Sequence, residues 1–60
     1  MLFESDISAY IYDELFKNTA HENLDFIKEY PLSYADLNNS SIYLLNNDGE
    51  QVFKIKIERV

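Results

Sequence analysis

The sequence lacks cysteine and tryptophan, and its 60 residues include one glycine, one proline and one histidine. Without cysteine, the chain can form neither disulfides nor thiolate metal sites. A single glycine excludes the glycine-rich loops that cradle phosphate groups. The lone His21 has no second histidine at the spacing of a zinc-protease helix. We therefore predict a protein that needs no cofactor and no metal, and that is not an enzyme.

Basic residues are also scarce, with five Lys and Arg against eleven Asp and Glu, a net charge of −6. Three of the five bases fall in residues 54–60, so residues 1–53 are strongly acidic. Such a body repels nucleic acid and phospholipid headgroups and attracts basic protein surfaces. An alternative is that the acids merely keep a small apolar protein soluble. We expect no direct nucleic-acid partner.

Long apolar runs are absent, and none approaches the roughly 18 residues that span a bilayer. The first residues carry no basic segment of the kind that begins a secretion signal. These features predict a cytoplasmic protein with no membrane partner.

The chain is also short, and we expect residues 1–60 to form one domain. A domain of this size buries only about 60% of the surface that its unfolded chain exposes. Small domains therefore usually need a disulfide, a metal or a partner subunit. The apolar content of 47% and aromatic content of 15% are too high for a disordered chain. Self-association or binding to a partner is therefore the remaining source of additional stability.

The clearest pattern lies in residues 52–58, where apolar and charged residues alternate as in a half-buried strand. Residues 32–47 allow two interpretations. Ser33 to Asp36 has the pattern of a helix capping box, which predicts a helix after Pro31. Residues 42–45 instead resemble a strand that Asp48 and Gly49 would join to the last strand by a hairpin turn.

The first thirty residues are equally ambiguous. Aromatic and β-branched residues at 7–16 favour a strand, and residues 24–30 could form a second one. Residues 19–22 also resemble a capping box, which would begin a helix at that point. Two α+β architectures remain: strand–strand–helix–strand with an antiparallel sheet, and two helices followed by a β-hairpin.

The acidic body suggests one specific kind of binding. Carboxylates spread over a rigid surface can imitate DNA phosphates and occupy a basic DNA-binding channel. An exposed apolar patch among them would supply the buried centre of such an interface.

Two segments resemble a known family. The runs LSYADL at 32–37 and EQVFKIKIERV at 50–60 are similar, in the same order, to segments of the small dimeric uracil-DNA glycosylase inhibitors of Bacillus phages. The similar part covers roughly the C-terminal half. The first thirty residues match only in length, charge and alternating character. This chain also carries about one extra helical turn, at residues 38–41.

The resemblance implies a strand–strand–helix–strand subunit and a homodimer that mimics DNA. It also implies a pocket, lined by the dimer's helices, that captures the wedge residue used in base flipping. Asp36 then matches the family's helix acid, whereas Leu37 and Leu45 stand where the family has aromatic rings. Glu29 or Asp25 would supply an acid of the second strand. The predicted partner-binding residues are Asp25, Glu29, Tyr34, Asp36, Leu37 and Leu45.

Our leading hypothesis is therefore a phage-type DNA mimic that inhibits host uracil-DNA glycosylase in the bacterial cytoplasm. One alternative is another phage anti-defence or anti-CRISPR inhibitor of a nucleic-acid-binding protein. A second alternative is a plain acidic protein-interaction module.

Overall fold

A computed structural model of the protein describes residues 2–17 and 24–60. Two helices precede three strands, which form one antiparallel sheet in the order β1-β2-β3. This arrangement confirms the predicted α+β class and antiparallel sheet. The elements are α1 Glu4–Phe16, α2 Leu24–Glu29, β1 Tyr34–Asp36, a 3-10 turn at Leu37–Asn39, β2 Ser41–Leu45 and β3 Gln51–Lys56.

The predicted strand–strand–helix–strand order is wrong, because residues 4–16 form a helix. The Asp6 carboxylate accepts a hydrogen bond of 2.9 Å from the Phe3 N–H at the start of α1. Glu4 and Asp6 lie in the first turn, where the helix dipole favours negative charge. The exposed positions 6, 10, 13 and 17 follow one another at intervals of three or four residues, with position 7 exposed beside them. This spacing is helical and not the alternation of a strand.

The second predicted strand, at residues 24–30, is also wrong. Residues 24–29 form α2, with Asp25 in its first turn and Lys28 in its last. Both charges complement the helix dipole. The capping-box pattern at 19–22 lies outside the described residues. The alternative of two helices followed by a hairpin has the observed order, with β1 as an added strand.

The helix predicted after Pro31 is wrong as well, because Ser33 does not cap a helix. Its hydroxyl donates to the Tyr30 carbonyl at 2.8 Å and accepts from the Leu45 N–H at 3.0 Å. Its own carbonyl accepts the Tyr12 hydroxyl at 3.2 Å. Ser33 thus ties α1, the end of α2 and β2 together from one buried position.

The extra helical turn expected at 38–41 is present only as the 3-10 turn. It ends at Ser40, whose φ of 50° and ψ of 44° are left-handed. The chain then enters β2, where Ile42 and Tyr43 are residue types that favour strands.

The hairpin between β2 and β3 confirms the interpretation drawn from residues 42–58. The Asn46 side-chain oxygen accepts from the N–H groups of Asp48 and Glu50 at 2.9 and 3.0 Å. The Gly49 N–H donates to the Asn46 carbonyl at 3.1 Å. Gly49 has a φ of 82°, which glycine adopts without the strain that a Cβ brings.

Strand register divides the sheet residues between two faces, because opposed residues share a face. One face, the helix-side face, contains Ile42 and Leu44, which are the buried apolar side chains of the described residues. The Tyr30 ring packs edge-on against Phe53 of that face, 5.8 Å between centroids. The other face, the open face, carries Tyr34, Asp36, Ser41, Tyr43, Leu45, Lys54 and Lys56.

Tyr43 lies at the centre of the open face. Its ring lies 5.4 Å from the Tyr34 ring, and the Lys54 Nζ lies 5.6 Å from its centroid.

At the chain ends, Arg59 Nε donates to the Glu4 carboxylate at 2.7 Å and so ties the C-terminal tail to α1. Within residues 2–17 and 24–60, no helix has the length and hydropathy that crossing a membrane requires.

Candidate protein-binding surface

A shallow groove of about 450 Å³ lies between α1 and the edge strand β1. We call it the α1–β1 groove. Two of the predicted binding residues line it, and both are substantially exposed: Tyr34 at 42% and Leu37 at 51%. Ala9, Tyr12, Asp13, Lys17 and Ala35 complete its lining.

The α1 side of the groove is ordered by contacts within the helix. The Tyr12 ring stacks on Phe16 with 5.1 Å between centroids. Lys17 Nζ lies 5.7 Å from the Tyr12 ring centroid and 3.5 Å from the Asp13 carboxylate. The groove therefore offers an apolar floor with one exposed ion pair at its rim.

Asp36 lies between Tyr34 and Leu37 in the chain, at the end of β1. Its carboxylate accepts a hydrogen bond of 2.7 Å from the Asn39 side-chain amide. This bond fixes the carboxylate beside the 3-10 turn that carries Leu37. The structure thus brings Tyr34, Asp36 and Leu37 together, on a strand and turn where the resemblance implies a helix.

The other three predicted binding residues lie elsewhere. Asp25 and Glu29 are exposed on α2, in the layer formed by the two helices. Leu45 is half-buried on the open face, which also carries Tyr34 and Asp36, but it does not line the groove. The six residues therefore do not form one patch.

The sequence-based set omitted the part of the groove that α1 supplies. Tyr12 and Asp13 follow Ala9 by three and four residues, the spacing of neighbours on one helix face. That spacing was the available signal, and the strand interpretation of residues 7–16 concealed it.

Charge is divided between the two sides of the molecule. The helical layer, which comprises α1, Lys17 and α2, holds six carboxylates and two lysines. The open face instead carries Lys54 and Lys56 beside Asp36. A basic partner is therefore attracted to the helical layer more than to the open face.

The described residues contain no group of three or more histidine, aspartate or glutamate side chains that could hold a metal ion. Comparison of the chain with protein-family models, with curated proteins and with solved structures found no match.

Proposed function

We propose that this protein is a non-enzymatic inhibitor that acts in the bacterial cytoplasm by occupying the basic nucleic-acid-binding cleft of a host protein. The observation that carries the proposal is the charge of the helical layer, with six carboxylates against two lysines on one side of the molecule. Carboxylates held on helices stand at fixed separations. A basic cleft that attracts the phosphates of DNA attracts such a surface by the same electrostatic steering.

The α1–β1 groove supplies the apolar contact that charge alone does not give. Tyr34 and Leu37 are exposed there, and an apolar side chain of the partner would bury both. Interfaces draw most of their affinity from a few such desolvated contacts. The proposed binding surface therefore joins the acids of the helical layer to this groove.

Uracil-DNA glycosylase is the target that the sequence resemblance suggests. That suggestion rests on residues 32–37 and 50–60. The observed element order differs from the subunit that the resemblance implies, so the helix-lined pocket of that family has no counterpart built the same way. In our proposal, the α1–β1 groove takes the place of that pocket and receives the wedge residue of the enzyme.

The proposal is tested by titrating the protein into a uracil-excision assay with a bacterial uracil-DNA glycosylase. We expect excision to stop at a stoichiometric ratio and inhibition to weaken with added salt. Undiminished excision at molar excess would reject this enzyme as the target. A panel of basic DNA-binding nucleases and helicases then tests the broader class of target.

Charge reversal separates mimicry from simple acidity. Asp25→Lys with Glu29→Lys should abolish inhibition, because both changes fall in the helical layer. Asp48→Lys with Glu50→Lys changes the net charge by the same amount in the exposed hairpin turn. We expect that control to inhibit almost normally. Equal losses in both variants would mean that only net charge matters.

A plain protein-interaction module is the second candidate, and the exposed groove itself favours it. In that case Tyr34→Ala and Leu37→Ala would abolish partner binding, whereas the reversal at Asp25 and Glu29 would leave it intact.

Our proposal includes a homodimer. Ile42 and Leu44 are the only apolar side chains buried among the described residues, so the core that those residues form is small. The outer side of α1 exposes Phe3 at 61%, Ile7 at 38% and Tyr10 at 67%, spaced as one helical stripe. We place the second copy there. Sedimentation equilibrium should give a dimer for the native chain and a monomer for Ile7→Asp with Tyr10→Asp.

A further inference from the structure

Backbone groups at defined positions on the outer edge of β3 have no partner among the described residues. The Ile57 N–H donates to the Ser40 carbonyl at 3.0 Å, which fixes the alternation of the β2–β3 ladder. Hydrogen-bonded pairs recur at every second residue of an antiparallel ladder, so Ile55 with Ile42 and Phe53 with Leu44 are also hydrogen-bonded pairs. The N–H and C=O groups of Lys54 and Lys56 therefore point away from β2. Because β3 ends the sheet, these groups form an open edge.

The side chains along this edge are of two kinds. Lys54 and Lys56 lie on the open face, and both residues are exposed. Phe53 lies on the helix-side face and is 54% exposed, and the neighbouring Val52 is 46% exposed. The edge thus combines outward backbone groups, two exposed lysines, of which Lys56 lies 3.4 Å from the Glu58 carboxylate, and an apolar flank.

From this combination we propose that β3 binds an extended acidic segment of another protein as a fourth strand of the sheet. Strand addition satisfies the outward groups of Lys54 and Lys56 with main-chain hydrogen bonds. Acidic side chains at alternate positions would then lie beside the two lysines, with apolar side chains between them beside Phe53. The partner is therefore a strand in which acidic and apolar residues alternate. This site is separate from the binding surface of the proposed function.

A second copy of this chain fits the edge poorly. Antiparallel pairing of β3 with itself about a two-fold axis brings the same sheet face together across the junction. Registers whose two-fold axis passes at Lys54, Ile55 or Lys56 set lysines of one copy directly beside those of the other on that face. Like charges at opposed positions destabilise a strand pair. The lysines therefore discourage self-pairing and favour an acidic strand.

The test uses the isotopically labelled full chain and a capped hexapeptide of alternating glutamate and valine. We expect peptide binding to slow hydrogen exchange at the Lys54 and Lys56 amides, which point away from β2 and have no ladder partner in the part of the chain that the structure describes. The same peptide with N-methyl groups on alternate residues should not bind. A hexapeptide of alternating lysine and valine should bind more weakly than the acidic one.

A matched pair of variants tests the contribution of charge. Lys54→Thr with Lys56→Thr keeps residues that suit a strand and should weaken peptide binding by roughly two- to thirty-fold. Lys17→Thr with Lys28→Thr changes the net charge equally in the helical layer and should leave binding unchanged. Circular dichroism checks that both variants fold.

Three results would overturn the proposal. One is equal binding of the basic or N-methylated peptide. Another is equal weakening by the two variants. The third is protection of the Lys54 and Lys56 amides that rises with protein concentration when no peptide is present, because that result would mean that a second copy occupies the edge.

Discussion

Replacing Ser33 by alanine should destabilise the protein strongly, although it removes a single oxygen atom. Ser33 is 8% exposed, and its hydroxyl is the acceptor for the Leu45 N–H at 3.0 Å. The same hydroxyl donates to the Tyr30 carbonyl, but that carbonyl also accepts the Ser33 backbone N–H at 3.3 Å. The substitution therefore leaves one partly buried donor, the Leu45 N–H, without an acceptor.

The cost follows from that unpaired donor. A buried donor left unsatisfied costs about 1–3 kcal/mol. The whole stability of a chain of this size is about 3–9 kcal/mol. Each kcal/mol corresponds to about 4–8 °C in the melting temperature of a small domain. We therefore expect Ser33→Ala to melt roughly 4–24 °C below the native chain.

Ser8→Ala is the matched control, since Ser8 is fully buried and loses the same atom. Its hydroxyl donates to the Ser5 carbonyl of the same helix at 3.0 Å. That carbonyl keeps its place in the helical hydrogen-bond ladder, and alanine favours helix by about 0.5 kcal/mol. Thermal denaturation followed by circular dichroism should therefore give a melting temperature close to the native value.

The comparison refutes the reasoning if the two variants melt together. Equal destabilisation would mean that buried volume decides the outcome and that the partner of the hydroxyl does not. A native-like Ser33→Ala would mean that water reaches the Leu45 N–H. Hydrogen exchange at Leu45 provides a separate measurement, since its amide should exchange faster in Ser33→Ala and normally in Ser8→Ala.

Three further changes test other contacts. Gly49→Ala should lower the free energy of unfolding, measured by urea denaturation, by about 1–2 kcal/mol, because a residue with a Cβ is strained at a φ of 82°. No steric clash adds to this cost, since a Cβ there would meet nothing within 4 Å. Gly49→Asn should cost less, because asparagine adopts left-handed backbone more readily than alanine. Arg59→Ala should lower the free energy of unfolding by at most about 1 kcal/mol, because the ion pair of Arg59 with Glu4 is exposed. In 1 M salt, where the screening length is about 3 Å, thermal melts should show a smaller difference between the variant and the native chain. Tyr12→Phe should cost about 0.5–1.5 kcal/mol in urea denaturation through the lost bond to the Ser33 carbonyl, and an unchanged midpoint would contradict this role.

The hairpin could be predicted from sequence because its determinants are local. Residues 52–58 alternate, and Asp48 and Gly49 occupy the turn that their conformational preferences favour. Helix α1 could not be predicted in this way. Its aromatic and β-branched residues favour a strand in isolation, and the preference for a helix depends on packing against the sheet. The sheet residues against which α1 packs are distant from it in the chain, so a local pattern does not include them.

Ser33 illustrates the same limit at the level of one side chain. Its pattern with Asp36 satisfies the local rule for a capping box. The hydrogen bond that forms instead joins it to Leu45, twelve residues later. A local rule does not contain that competitor, so the helix after Pro31 was predicted where β1 lies.

The candidate site was predicted in part for a related reason. Tyr34 and Leu37 are close in sequence and share the α1–β1 groove. The other side of that groove belongs to α1, which the leading interpretation treated as a strand. The resemblance implies that Asp25 or Glu29 supplies an acid of a second strand, but both lie on α2. Residues that are neighbours in sequence therefore lie together in the fold, whereas the groove residues that α1 supplies are absent from the predicted set.

The division of charge has a consequence for how the two proposed surfaces work together. A basic cleft would engage the helical layer, and an acidic strand would add at β3, at the edge of the sheet. The two partners contact different elements and are attracted by opposite charges, so they should bind at the same time. Saturating the protein with the acidic hexapeptide should therefore leave inhibition of a basic target unchanged. Competition between them would mean that one surface serves both partners, and the assignment of opposite charges to separate sites would then be wrong.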